Sequence, residues 1–97
     1  MNKQVALPLV FEEFQLGELR TGEGCVIWAT TAAAARIRFD IPRDVLNDTL
    51  DGSVAFPNRA AINLCKQNKE KIEAACQRAL LRAPKADAIA LITRDFQ

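Results

Sequence analysis

The chain has 97 residues, 49% of them hydrophobic and 26% charged, a composition and length that fit one globular domain covering residues 1–97. It contains no histidine, so catalysis by a histidine base and metal sites built on histidine are excluded. The one serine, Ser53, consequently has no histidine partner, and Gly22 and Gly24 are not followed by the Lys-Ser/Thr pair of a phosphate loop. We therefore expect a non-enzymatic protein without a cofactor or metal.

The N-terminal apolar run, residues 5–11, is too short to span a bilayer. It also differs from a secretion signal, because Glu12 and Glu13 follow it where a small-residue cleavage site is needed. Three cysteines, at 25, 65 and 76, match no disulfide framework of a small secreted domain. These features predict a cytoplasmic protein with no membrane partner.

Charge is distributed unevenly along the chain. Residues 1–57 contain five Lys/Arg and eight Asp/Glu, a net charge of −3, whereas residues 58–97 contain eight and four, a net charge of +4. Either the two halves pack against each other and cancel, or a basic face is kept for an acidic partner.

The first element, within residues 5–16, has two interpretations. Pro8 is compatible with the start of a short helix that turns Val10, Phe11 and Phe14 inward. Alternatively, the alternating apolar residues of this segment form an edge strand, where proline is tolerated.

A hairpin follows, with strands at 16–20 and 25–30 and a turn at 21–24. After an alanine-rich connection, residues 36–41 alternate strictly between polar and apolar side chains. This alternation predicts a half-buried antiparallel strand with Ile37, Phe39 and Ile41 on the core side.

Two or three further elements complete the chain. Pro42 opens a short helix that Asp51-Gly52 stops, and Asn58 is a suitable N-cap for a long helical segment at 58–83. The run 87–93 is short and apolar, which predicts a strand buried on both faces at the centre of the sheet. The fold class is therefore α+β: a small, mostly antiparallel sheet in the order β-β-β-α-α-β, with one long or broken helix packed on one face.

The segment 58–83 is amphipathic. Cys65 and Cys76 lie on one stripe of a continuous helix, about 16 Å apart along its axis, so they neither share a metal nor bridge each other, and both are expected in the core. The polar run 66–69 interrupts this stripe. Either the helix has a polar notch there, or Asn68 caps a second helix, which we favour. Lys66 with Glu70 and Lys69 with Glu73 have the spacing of i,i+4 ion pairs.

The basic residues of this segment give a second functional hypothesis. Lys71, Arg78 and Arg82 line one flank without an acidic partner in the helix, and the helix dipole already favours the two arginines near its C-terminus. The flank is a candidate for weak binding to nucleic acid or to an acidic partner. If Trp28 shares the wet face of the sheet with Arg36 and Arg38, a platform for base stacking results. We expect Trp28 in the core instead.

The second half of the chain resembles a proteobacterial family catalogued as domain of unknown function fourteen-eighty-eight. The resemblance rests on residues 36–41 with 44–46, on 68–75 and on 90–96, and the helical match also fits 58–62. It implies the order strand, short helix, helix, strand and a bacterial cytoplasmic setting, and it brings no catalytic residues.

The sequence thus predicts a small bacterial protein that acts through a protein–protein surface, binding another protein or forming a homodimer. Weak nucleic-acid binding is the first alternative. A thiol-dependent activity at Cys25, taken as the cysteine most accessible to solvent, is the second.

Overall fold

The computed structural model describes residues 9–19, 22–49 and 59–97, without the side chains of 16–19, 22–23 and 59–61. Within these ranges lie one sheet, three helices and a terminal 3-10 turn. The strands are β1 (Leu9–Phe11), β2 (Gln15–Leu19), β3 (Gly22–Thr31), β4 (Arg36–Pro42) and β5 (Ala88–Ala90); the helices are α1 (Arg43–Thr49), α2 (Arg59–Gln67) and α3 (Lys69–Arg82), and the 3-10 turn is Thr93–Phe96. The α+β class is confirmed, with one more short strand than the sequence predicted.

The long strand β3 organises the sheet. On one edge it pairs antiparallel with β4, and along the other it pairs with β1 near its C-terminal end and with β2 near its N-terminal end. Three residues, 12–14, stand opposite two residues of β3, 27–28, so β1 and β2 amount to one edge strand interrupted by a bulge. The described part of the ambiguous first segment, residues 9–16, is therefore strand interrupted by a bulge, and residues 5–8 lie outside the described part of the chain.

The bulge redirects the side chains of the edge strand. Phe11 and Phe14 both contact the core, whereas Val10 is 72% exposed. The helical alternative had placed all three inward, which is wrong for Val10 because neighbouring residues of a strand point to opposite faces.

The predicted hairpin forms, and a second hairpin joins β3 to β4. Leu19 pairs with Gly22, so Gly22 and Gly24 are strand residues rather than the turn, and the connecting residues 20–21 lie outside the described part. The second hairpin closes through Ala34, whose φ of 65° is the left-handed conformation that glycine or asparagine usually supplies.

The prediction that the last strand lies at the centre of the sheet was wrong. β5 pairs in parallel with β4 at the end of the described sheet, with Ile89 buried but Ala88 and Ala90 exposed. The run is thus alternating, with its larger side chains on the core face. The short alanine methyl groups tolerate water, so an apolar run of this composition did not require burial on both faces.

The helical segment 58–83 is broken, as favoured above. Asn68 lies between α2 and α3 and has a backbone ψ of 28°. Its side-chain amide donates to the carbonyl oxygen of Leu64 at 2.9 Å. Asn68 therefore caps the end of α2 and makes no side-chain cap for α3, contrary to the prediction.

The break also separates Lys66 from Glu70, and Lys66 makes no ion pair with any described residue, whereas Lys69 lies 3.7 Å from Glu73. Asp51-Gly52 and Asn58 lie outside the described residues.

The core lies between one face of the sheet and the helices. Its members are fully or nearly buried: Phe14, Cys25, Ile27, Ala29, Ile37, Phe39, Ile41, Leu46, Cys65, Ile72, Ala75, Cys76, Ala79, Leu80, Ile89 and Leu91. Cys65 and Cys76 are both fully buried, as predicted. Cys25 is equally buried, so the expectation that it is accessible was wrong. It occupies the core face of β3, in register with Ile41.

Candidate functional site

The opposite side of the sheet is partly exposed and carries most of the described polar and charged side chains of the strands. Period-two alternation and the strand register bring together a set that we call the open face: Val10, Trp28, Thr30, Arg36, Arg38 and Asp40. Val10 stands opposite Thr30, Thr30 opposite Arg36, and Trp28 opposite Arg38. Three of the residues selected from the sequence, Trp28, Arg36 and Arg38, are thus neighbours.

Trp28 is not in the core, contrary to our expectation. Ile27 pairs with Phe39 and Ala29 with Ile37, so these residues of β3 share the core face set by β4, and Trp28 between them must point outward. Its indole is half-buried because the guanidinium of Arg36 lies 4.0 Å from the ring centroid. This is cation–π stacking geometry.

Arg36 is held over the indole by a carboxylate from the bulge. Its Nε and Nη2 donate to the two carboxylate oxygens of Glu12, each at 2.9 Å. The hydrogen bonds from Arg36 lower the pKa of Glu12, and Glu12 in turn raises the pKa of Arg36. Glu12 lies at the margin of the open face, since its amide donates to the carbonyl of Trp28.

A second ion pair lies next to the first. Arg38 donates from Nε to Oδ1 of Asp40, two positions along the same strand and on the same face. Together with Arg36 and Glu12, this gives two cations and two carboxylates around one tryptophan. The electrostatic character of the open face is therefore balanced rather than basic.

The predicted basic flank of the helix is largely engaged within the protein. Arg82 donates from Nε to Oδ1 of Asp95 at 2.9 Å and from Nη2 to Oδ2 at 2.8 Å, and Arg78 donates to the main-chain oxygen of Asp95 at 2.8 Å. We call Arg78, Arg82 and Asp95 the C-terminal clamp. Lys71, which is also exposed, is the member of the flank that takes no part in the clamp.

Asp95 is the one buried charged side chain in the described part of the chain, with an exposure of 4%. Its Oδ2 also accepts the amide hydrogen of Ile92 at 3.0 Å. Burial alone would raise the pKa of Asp95, but the hydrogen bonds from Arg82 and Ile92 and the charges of both clamp arginines outweigh it, so the pKa is lowered. The clamp therefore fixes the terminal turn to α3 and β5. One signal for the clamp was present in the sequence: two helix arginines without an acidic partner in their own helix.

A cleft of about 320 Å³ lies between the bulge and the α2–α3 junction. Its floor is apolar, and its rim has two carboxylates and two ammonium groups: Phe11, Glu12, Glu13, Phe14, Lys66 and Lys69. Glu12 is held by Arg36, and Lys69 lies near Glu73. Two of the four charged groups are thus already paired, and the rim does not present a single charge to a ligand.

The described residues contain no group of three or more Cys, Asp or Glu side chains arranged to hold a metal ion. Within the same ranges, no helix has the length and hydropathy that crossing a bilayer requires. Comparison with family models, with curated proteins and with solved structures found no match to the chain. The family resemblance therefore stays a prediction, and functional inference rests on the geometry above.

Proposed function

We propose that this protein is a non-enzymatic interaction module that associates with a second copy of itself through the open face. The observation that carries the proposal is the balanced charge around Trp28, with Arg36 beside Glu12 and Arg38 beside Asp40. Val10, 72% exposed on the same face, adds an apolar contact surface.

The charge balance favours a second copy over other partners. In a two-fold symmetric dimer the same patch serves both subunits, so it must be complementary to itself. A face that alternates cations and carboxylates meets this condition, because a small offset places each arginine opposite a carboxylate of the other copy. A nucleic acid or a strongly acidic protein would meet as many carboxylates as arginines on this face.

The size of the face sets the expected affinity. The strands β1, β3, β4 and β5 lie about 4.8 Å apart and have a mean length of about 19 Å, so the face covers roughly 350 Å² per subunit. This is well below the approximately 800 Å² per partner of a stable interface. We therefore expect a reversible dimer with a dissociation constant of about 10 to 500 µM.

Sedimentation velocity across that concentration range tests the proposal. A sedimentation coefficient that rises with concentration is expected. A chain that stays monomeric at about 500 µM would remove the proposal.

Two matched substitutions locate the interface. Val10→Lys and Leu81→Lys each place a charge on an exposed apolar residue, 72% and 48% exposed, and neither disturbs a buried contact. Val10→Lys should weaken the dimer at least about tenfold, because a charge is introduced at the contact. Leu81→Lys, on α3, should leave the dimer unchanged. The reverse result would place the interface on the helices.

Val10 belongs to an edge strand as well as to the open face, so a third variant distinguishes face-to-face from edge-to-edge pairing. Thr30 lies on β3, which has partners on both edges. Thr30→Lys should weaken a face-to-face dimer as strongly as Val10→Lys does. If Thr30→Lys has no effect, the strands pair through their edges.

Weak binding to single-stranded nucleic acid is a second candidate, favoured by one observation: Trp28 lies on the open face between Arg36 and Arg38. On α3, the engagement of Arg78 and Arg82 by Asp95 leaves Lys71 to contribute from the flank. A gel-shift measurement at about 50 mM salt, where phosphate contacts are strongest, tests it. A shift with the wild-type chain that Trp28→Ala abolishes would support this function, and no shift would exclude it.

A further inference from the structure

The cleft between the edge strand and the α2–α3 junction, here called the bulge cleft, exists because both of its walls are irregular. In a regular strand, successive side chains point to opposite faces, so only two of four consecutive residues would share one side. The bulge at 12–14 interrupts that alternation, and all four residues 11–14 line the cleft. On the opposite wall, Lys66 and Lys69 lie on either side of Asn68, where α2 ends and α3 begins. The cleft is therefore a product of the bulge and of the helix break together.

The floor of the bulge cleft is aromatic and is held by the core. Phe14 is buried and Phe11 is half-buried, and both pack against the hydrophobic core. The ring of Phe11 also lies 6.5 Å, centroid to centroid, from the ring of Phe39, which is fully buried. These contacts fix the floor before any ligand arrives, so an apolar group can cover it and displace water without a rearrangement of the protein.

The rim of the bulge cleft leaves one charge of each sign available. Glu12 and Lys69 are each paired with a neighbouring side chain. Glu13 and Lys66 are exposed, and neither makes an ion pair with the other or with any other described residue. One lies on the bulge and the other near the end of α2. A ligand between them therefore meets a carboxylate on one side and an ammonium group on the other.

The size and the charges of the bulge cleft limit the class of ligand. A volume of about 320 Å³ is at the lower end of the roughly 300–1,000 Å³ of small-molecule pockets, which suits a single compact molecule. A ligand of one sign would neutralise only one of the two available groups, whereas a zwitterion meets both. An apolar side chain on the same molecule would cover the phenylalanine rings. A free amino acid with a large apolar side chain combines these properties.

We propose that the bulge cleft binds a free amino acid with an aromatic or large aliphatic side chain. Glu13 holds its ammonium group, Lys66 holds its carboxylate, and Phe11 and Phe14 receive its side chain. No bond of the ligand is made or broken. The proposal goes beyond self-association, because neither Glu13 nor Lys66 belongs to the open face.

The exposure of the rim sets the expected affinity. Ion pairs that remain in contact with water contribute little to binding. A ligand of about twelve non-hydrogen atoms that stays partly exposed therefore binds weakly, and we expect a dissociation constant of about 0.1 to 5 mM for L-phenylalanine.

Titration of the full chain with L-phenylalanine, followed by NMR of the backbone amides, tests the proposal. Saturable shifts are expected at residues 11–14 and 66–69. Two analogues separate the charges, since 2-phenylethylamine has no carboxylate and 3-phenylpropionate has no ammonium group. Each should bind at least about threefold more weakly than the amino acid. The absence of saturable shifts at about 20 mM L-phenylalanine, or an analogue that binds as tightly, would overturn the proposal.

Substitutions on the two walls test the assigned roles. Glu13→Gln and Lys66→Gln each remove a charge from an exposed position, so the chain should stay folded while L-phenylalanine binds about three- to fivefold more weakly. Lys71→Gln is the matched control, because it removes an exposed charge from α3 outside the cleft and should leave binding unchanged. Equal binding by all three variants and the wild-type chain would remove the assignment.

A charge reversal sharpens the test. Lys66→Glu replaces the ammonium group of the rim by a carboxylate, so 2-phenylethylamine should then bind more tightly than L-phenylalanine. A Lys66→Glu chain that still prefers the amino acid would show that these charges do not select the ligand, which would overturn the proposal.

Val10→Lys separates this site from self-association. Val10 is exposed on the open face and is not part of the cleft lining, so its substitution should weaken the dimer and leave the binding of L-phenylalanine unchanged. Loss of both properties in Val10→Lys would show that the ligand site depends on the dimer surface, and the bulge cleft would not be the independent site proposed.

Discussion

Two arginine–carboxylate pairs of nearly the same geometry have different roles in this molecule. Arg36 meets Glu12 with two hydrogen bonds of 2.9 Å, and Arg82 meets Asp95 with two of 2.9 and 2.8 Å. Their surroundings differ. The side chains of Arg36 and Glu12 are 53% and 39% exposed, whereas that of Asp95 is 4% exposed.

The difference teaches that burial, rather than hydrogen-bond geometry, decides what such a pair does. A buried carboxylate without its partner keeps the full cost of its desolvation, so Asp95 depends on Arg82 and Arg78 for the folded state. An exposed carboxylate is rehydrated when its partner leaves, so Glu12 and Arg36 exchange partners at little cost. The clamp therefore maintains the fold, and the exposed pair is available for contacts with another molecule.

Removing the buried carboxylate should have the largest effect. Asp95→Ala removes the two carboxylate acceptors of Arg82, which retains its bond to the main-chain oxygen of Ala90, and leaves the Ile92 amide without an acceptor. The free energy of unfolding should therefore fall by about 3 kcal/mol. Urea denaturation measures this value. Asp87→Ala is the matched control, since Asp87 is exposed, and it should change stability by less than about 0.5 kcal/mol. A loss of similar size from both variants would show that the clamp has no special role.

The dependence of stability on pH should also distinguish the buried ion pair from the exposed one. The folded-state pKa of Asp95 is lowered, so the clamp contributes stability that is fully present above the unfolded-state pKa of about 3.9 and is lost as the pH falls through the folded-state value. Glu12 has the same direction of shift. Because salt screens exposed charges far more than buried ones, the contribution of Glu12 should disappear in about 1 M salt.

The measurement is urea denaturation at a series of pH values below 5, with and without salt. In high salt the wild-type chain should still lose stability toward low pH, and Asp95→Asn should lose less because it has no proton to gain at this position. An unchanged acid dependence in Asp95→Asn would assign the loss to other carboxylates.

Local patterns predicted most of the secondary structure. The strict alternation at 36–41, the hairpin before it and the break near Asn68 depend on neighbours within a few residues, and each formed as predicted. The errors arose where the local sequence pattern was compatible with two different orientations or degrees of burial. β3 is apolar on both faces, so only its register with β4 decides that Trp28 points outward. In β5 the alanines suggested burial that their small side chains do not require.

The candidate sites were harder to predict because their contacts are long-range. Trp28, Arg36 and Arg38 were identified as a possible set from the sequence, but Glu12, the carboxylate partner of Arg36, lies 24 positions away along the chain. Asp95 lies 13 positions from Arg82, beyond the end of the helix. Charge and residue type indicated which side chains needed partners, and only the fold could say which partners they have.

The smallest expected effect concerns the exposed pair. Arg36→Ala uncovers the indole of Trp28, the one tryptophan of the chain, so its fluorescence emission should move to longer wavelength while the chain remains folded. The midpoint of urea unfolding should change far less than in Asp95→Ala, because Glu12 is rehydrated when Arg36 is removed. Lys71→Ala, an exposed cation on α3, is the control and should leave the emission unchanged. If Arg36→Ala destabilises the chain as much as Asp95→Ala does, exposure is not what separates the two pairs. The open face would then be part of the protein's structural support, and its proposed role as a contact surface would lose its physical basis.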